Sequence, residues 1–221
     1  MAGIENIARS LKGLKESEVL LEMEEAYKKI EEEQSLWYKT SKFYCPQGCG
    51  KCCHNFEPDL LECEALYMAA WLIENQNEVA QNVALGKFPF ENGKTCPFHN
   101  FDNPYHCSIY GGRAFICRLF GASSSKAKDG QAVWKPCKFI PSETLKSYDK
   151  NLEHKQYSFE ESKKILKAVP PVMSDLMQQA LSFCPDENNT KLIREILPET
   201  VRKLFWLLKI SGTQDLNPQA S

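Results

Sequence analysis

With 221 residues, 43% hydrophobic side chains and a formal net charge of −2, the chain is long enough to bury its own core and too close to neutral for wholesale nucleic-acid binding. Length also removes the usual reason for a disulfide framework, which replaces a missing core in scaffolds below roughly 80 residues. The opening MAGIENIARSLKGLKESEV lacks the apolar centre of a signal peptide. No stretch reaches the roughly 18 uninterrupted apolar residues of a membrane span, so the expectation is a soluble, cytoplasmic protein.

Leu20, Met23, Tyr27, Ile30 and Trp37 recur at helical spacing while the intervening glutamates and lysines face water, which predicts a helix over 14–41. The stripe is short and contains Gln34, so packing onto the domain is expected rather than a coiled-coil seam. The segment LLECEALYMAAWLIEN, 60–75, predicts a second helix opened by Pro58 and Asp59. Cys63 within it reads as a small buried hydrophobe.

Between 86 and 140 the texture changes to short segments and turns. ENGK at 91–94 and KDGQ at 128–131 carry the Asn-Gly and Asp-Gly pairs of tight hairpins. Cys96, Cys107, Cys117 and Cys137 are spread through this stretch, which bound metal could organise. Helix returns after Pro141: SFEE at 158–161 is a capping-box pattern, Pro170 and Pro171 separate two helices, and a last helix is expected from near Pro198 to Ser211, stopped by Gly212. Cys184 reads as structural, and residues 213–221 as a frayed tail. The fold class expected is mainly α with a small irregular, hairpin-containing metal-organised region, α+β overall. Three parts follow: an N-terminal helical segment at 1–43, a cysteine-cluster metal-binding domain at 44–140, and a C-terminal helical extension at 141–221.

The densest signal is CPQGCGKCCHN, which puts Cys45, Cys49, Cys52 and Cys53 into nine positions. In a reducing compartment such spacing points to metal or redox chemistry, because thiolates are soft ligands and one loop can aim several sulfurs at one centre. Gly48 and Gly50 suit a backbone turning around a metal. Adjacent side chains usually diverge, so Cys52 next to Cys53 favours a polynuclear centre or two neighbouring sites over one ion. Two tetrahedral zinc sites would use eight thiols; one four-iron cluster would use four.

CPQGCGKCC, CPF at Cys96 and CSIYGGRAFICRLFG from Cys107 to Gly121 together resemble the YkgJ family of cysteine-cluster proteins, described as zinc- or iron-chelating domains. The resemblance covers about residues 44–138. It implies a small metal-organised domain with Cys45, Cys49, Cys52, Cys53, Cys96, Cys107, Cys117 and Cys137 as ligand candidates. Two departures stand out: three residues rather than two separate Cys45 from Cys49, and Arg113-Ala114 replaces an Arg-Pro pair, which lessens backbone rigidity before Cys117.

His54 and His99 are reserve ligands, and His106 is expected to be exposed. Arg113 and Arg118 could offset thiolate charge or bind an anion. Tyr110 and Phe120 are expected in the core. No Walker loop, GxGxxG, HExxH or GxSxG occurs. The reading is therefore a metal-chelating protein binding an iron–sulfur cluster, preferred over zinc, in a structural or redox role, with the flanking helices recognising a protein partner. The alternative is an S-adenosylmethionine-dependent protein lysine N-methyltransferase, because flagellin lysine N-methylases carry a similar cysteine cluster; they are larger, and no glycine-rich cofactor loop is visible here. Residues 107–138 carry six basic side chains against Asp129 alone, but nucleic-acid binding is disfavoured by the acidic chain as a whole.

Overall fold

A computed structural model of the chain describes residues 3–45, 49–90, 93–100, 102, 106–184 and 189–212, with only the backbone of 179–181. Among them are nine α-helices: α1 (Glu5–Ser10), α2 (Lys15–Ser41), α3 (Glu62–Asn75), α4 (Asn77–Ala84), α5 (Phe115–Leu119), α6 (Ser142–Tyr148), α7 (Phe159–Leu166), α8 (Met173–Phe183) and α9 (Ile193–Ile210). Five short strands complete the inventory. β1 (Asp59–Leu60) pairs antiparallel with β5 (Lys191–Leu192); β2 (Ser125–Lys126), β3 (Ala132–Trp134) and β4 (Tyr157–Ser158) form an antiparallel sheet in that order. The protein is mainly α with a minor β component, as its sequence pattern predicts. No helix among the described residues is long and apolar enough to cross a membrane.

Two hydrophobic cores organise the molecule. The larger gathers Ile7, Leu20, Met23, Ile30, Leu72, Leu197, Val201 and Leu204, drawn from α1, α2, α3 and α9. Helix α3 is its centre, buried on every face from Cys63 to Ile73, which is what an all-round apolar helix requires. The smaller core gathers Trp37, Phe43, Trp134, Leu145, Tyr157 and Leu166 around the three-stranded sheet. Helix α2 spans both: its first turns lie in the larger core and Trp37 belongs to the smaller. Gln34, the polar break in the α2 stripe, is buried and donates its Nε2 hydrogen to the Arg118 carbonyl at 2.8 Å.

Several predicted elements are found where expected. The Ser158 and Glu161 side chains exchange the capping-box bonds, with Glu161 N–H donating to Ser158 Oγ at 3.3 Å and Ser158 N–H to Glu161 carboxylate at 2.8 Å. KDGQ forms the turn between β2 and β3, with Gly130 at φ +80°. ENGK lies partly, and 213–221 wholly, outside the described residues.

One expectation needs correction, and one helix goes unsignalled by periodicity. Helix α9 opens at Ile193, not near Pro198, which sits inside it. The start is fixed from outside the helix: Glu57 accepts the Arg194 N–H at 2.9 Å, and Ile193 and Leu197 are buried. These contacts outweigh the lost proline donor. Helix α1, which sequence periodicity misses in so short a segment, is held by Glu74, whose carboxylate accepts the Asn6 and Ile7 N–H groups at 3.1 Å.

Candidate metal centre

The first cysteines follow α2, which ends on Lys42 in the left-handed conformation, φ 58°. Phe43 then drops into the smaller core and anchors the chain just before Cys45. Gly50, at φ +53°, turns the chain into a 3-10 turn over Lys51–Cys53. A Cβ at Gly50 would run into the His106 ring, so the position needs glycine for its backbone angle and for clearance. The turn sets the Cys52 and Cys53 sulfurs 4.0 Å apart. These adjacent side chains therefore do not diverge as expected, because the tight turn folds both toward one side.

Backbone bonds bring the later cysteines alongside. Asn55 N–H donates to Thr95 Oγ1 at 3.0 Å and Cys96 N–H to the Phe56 carbonyl at 2.9 Å. His99 and Cys107 form an isolated antiparallel bridge. Cys117 lies in α5, whose first N–H, that of Phe115, donates to the buried Glu64 carboxylate at 2.7 Å. Ala114, standing where the resembling family has proline, is buried with φ −64°, close to the angle a proline ring imposes. The backbone conformation before Cys117 is thus kept without proline. Cys137 follows β3 and packs against the smaller core.

All eight candidate cysteines line one cavity of about 400 Å³. Cys96, Cys107 and Cys117 pack against the larger core. Cys45 interacts electrostatically with Cys49, Cys137 and Cys52, while Cys52 also acts on Cys107. Cys52 thus interacts with thiols of both sets, and all eight stand around the same cavity. They surround the space rather than converge on a point: among the described residues no three His, Cys, Asp or Glu side chains form a ready single-ion site.

His99 is buried and lines the cavity, stacked on His106 at 5.7 Å between ring centroids. Burial, then His106 and His54, lowers the pKa of His99. His106, expected on the surface, lines the cavity and is partly buried, because it closes over Gly50. His54 is exposed and outside the lining. Tyr110 and Phe120 also depart from expectation: they are 37% and 36% exposed and line the cavity instead of filling a core. Tyr110 carries the Arg113 guanidinium 3.7 Å above its ring, and that cation holds it at the opening.

The two arginines divide the roles considered for them. Arg118 is buried and committed to the fold: it pairs with Glu31 at 2.8 Å, donates Nε to the Arg113 carbonyl at 3.0 Å, bonds the Gly111 carbonyl and lies 3.8 Å over the Tyr27 ring. Arg113 faces the thiols, favouring the charged forms of Cys45, Cys52, Cys107 and Cys117. Its buried Nε has no hydrogen-bond partner among the described residues.

Burial dominates the titration of the thiols. It pushes Cys45 up to about 11, with Cys49, Cys137 and Cys52 adding to the rise, and Cys96 up to about 12. Cys117, Cys107 and Cys137 are raised for the same first reason. Cys52 is raised first by its hydrogen bond to Cys53. Thiols this crowded and desolvated resist ionising alone, and a bound cation supplies the compensation that lets them ionise together.

One pair escaped the sequence reading. Cys63 and Cys184, taken separately as a buried hydrophobe and a structural residue, are both buried and line one second, smaller cavity. Nothing in a separation of 121 positions signals that proximity; it arises from how α8 ends beside the first turn of α3.

Soft donors, a cavity shared by every candidate thiol and a facing arginine are the chemistry that a soft metal requires. Residues 44–138 match the CxxCxxCC family model, described as "Putative zinc- or iron-chelating domain". The match spans the segment that carries the eight thiols and agrees with the family that the sequence resembles. No curated protein and no solved structure matches the chain. The comparisons bring no methyltransferase.

Proposed function

We propose that Cys45, Cys49, Cys52, Cys53, Cys96, Cys107, Cys117 and Cys137 hold a centre with more than one metal, an iron–sulfur cluster ahead of zinc, in a structural or redox role. The observation that carries this reading is the single cavity of about 400 Å³ around which all eight thiols stand. A single tetrahedral zinc, with Zn–S near about 2.3 Å, draws four sulfurs to within about 3.8 Å of one another and leaves four thiols over. Eight donors around a shared volume outnumber the four that one zinc takes and suit a polynuclear centre.

The residues present fit such a group. Thiolates are the donors that iron–sulfur clusters and zinc prefer, and the Arg113 guanidinium opposes the negative charge they collect. Tyr38, Phe120 and Phe139 give the wall aromatic surface, and hydrogen bonding and solvent exposure are what tune a cluster's potential. A bound iron–sulfur cluster would supply one-electron transfer, whereas zinc would supply cross-linking of the chain. In this reading partner recognition falls to the helices outside the cysteine segment.

The test is metal and acid-labile sulfide content, with a visible spectrum, on protein purified without oxygen. Iron with sulfide and absorbance near about 400 nm supports the cluster. Colourless protein with two zinc ions per chain keeps the eight-thiol centre and removes the redox role; protein without metal overturns the reading.

A further inference from the structure

The thiols of Cys63 and Cys184 lie outside the eight-cysteine cavity and are 3% and 4% exposed. Cys63 occupies the first turn of α3, and Cys184 directly follows α8. Both line a separate cavity of about 90 Å³, with Lys15, Glu16, Glu62 and Lys203 around it. Lys203 bonds Glu16 at 3.0 Å and reaches Glu62 at 4.0 Å, so these three charges are engaged with one another, and the sulfurs are the oxidisable groups of the cavity.

We propose that Cys63 and Cys184 form a second thiol site, independent of the metal centre, that is converted to a disulfide by a small hydroperoxide. The cavity has room for a few water-sized molecules, hence for hydrogen peroxide, and excludes a tripeptide disulfide such as oxidised glutathione. In the first step the thiolate sulfur of one cysteine attacks a peroxide oxygen. The O–O bond breaks, a sulfenic acid forms, and the departing hydroxide takes up the proton lost by the thiol to give water. In the second step the neighbouring thiol attacks the sulfenic sulfur, the S–O bond breaks and a second water leaves. Overall two thiols and one peroxide give one disulfide and two waters. Both cysteines line the same small cavity, so the second step joins neighbouring side chains, and it outruns further oxidation of the sulfenic acid.

The hydrogen bond to Cys184, followed by burial, holds the Cys63 thiol far above the ordinary range. Since thiolate is the nucleophile, the pair reacts slowly, and sustained rather than brief peroxide exposure converts it. The disulfide would tie the start of α3 to the end of α8.

The test uses the full chain as purified, with its metal. Samples are exposed to hydrogen peroxide or to oxidised glutathione, alkylated under denaturing conditions and mapped by mass spectrometry without reduction. The expected result is a cross-linked peptide pair containing Cys63 and Cys184, lighter by two hydrogens, that accumulates with peroxide and not with glutathione disulfide. Recovery of both cysteines alkylated, as separate sulfinic acids, or joined to other cysteines after peroxide overturns the proposal. Accumulation with glutathione disulfide at a matching rate overturns the size selectivity. Metal content is read in the same samples, so failure of the metal reading and failure of this one are told apart.

Discussion

The Glu64 carboxylate, in the first turn of α3, accepts the Leu61 N–H at 2.9 Å with one oxygen and the Phe115 N–H at 2.7 Å with the other. One buried side chain thus caps the central helix and fastens the helix that carries Cys117. Glu64→Ala leaves both N–H groups buried and unpaired and is expected to destabilise the protein by about 2–5 kcal/mol. The urea midpoint measures this, and a change below about 0.5 kcal/mol would remove Glu64 from the fold's essential bonds.

The same residue predicts a pH dependence. Burial, against the pull of two N–H groups and Arg118, pushes Glu64 up to about 7. The folded state therefore binds a proton more tightly than the unfolded chain does. Its stabilising contribution is complete below the unfolded value near about 4.5 and is lost as pH rises through about 7, on the order of 3 kcal/mol in all. Urea midpoints across this window should fall more steeply in the wild type than in Glu64→Gln, and the difference isolates Glu64 from His99. Equal slopes would place the titrating group elsewhere.

Glu57 follows the cysteine-rich turn and is ion-paired with Arg194, whose Nη2 also donates to the Thr95 carbonyl at 2.8 Å. The Glu57 side chain is only 7% exposed. Arg194→Ala leaves that carboxylate the residue-194 N–H but no cation, and should cost about 3 kcal/mol, with partial recovery in the double variant with Glu57→Gln. Additive losses in the cycle would show the two side chains acting independently.

Metal removal should act locally. With a chelator present, amide hydrogen exchange should accelerate across 49–56, 95–99 and 106–108, where few regular hydrogen bonds hold the chain, and stay slow in α3 and α9, which share the larger core. Uniform acceleration would mean that the helices also depend on metal.

Substitution separates the two thiol sites. Cys52→Ser and Cys53→Ser are each expected to lower metal per chain, while Cys63→Ser leaves it unchanged. Equal loss in all three would contradict the division between the metal cavity and the buried pair.

Much of this arrangement is legible in the chain. The periodicity from Leu20 to Trp37 gives α2 almost to the residue, and the turn chemistry of Asp129-Gly130 gives the β2–β3 hairpin. What escapes is tertiary. The start of α9 depends on Glu57, far away in sequence; the exposure of Tyr110 depends on Arg113 above its ring; and the meeting of Cys63 with Cys184 depends on where two helices end. Local pattern carries propensity and spacing, and these three outcomes are decided by neighbours that spacing does not name.

Helix α2, 27 residues long and so about 40 Å from end to end, is the one long rod that enters both cores. Three of the cavity's thiols are rooted in the larger core and Cys137 in the smaller, while Gln34 and Tyr38 of α2 line the cavity between them. A small tilt of this rod against either core therefore changes the width across which the sulfurs face each other, and a centre bound there acts as a rivet that fixes the angle between the two halves.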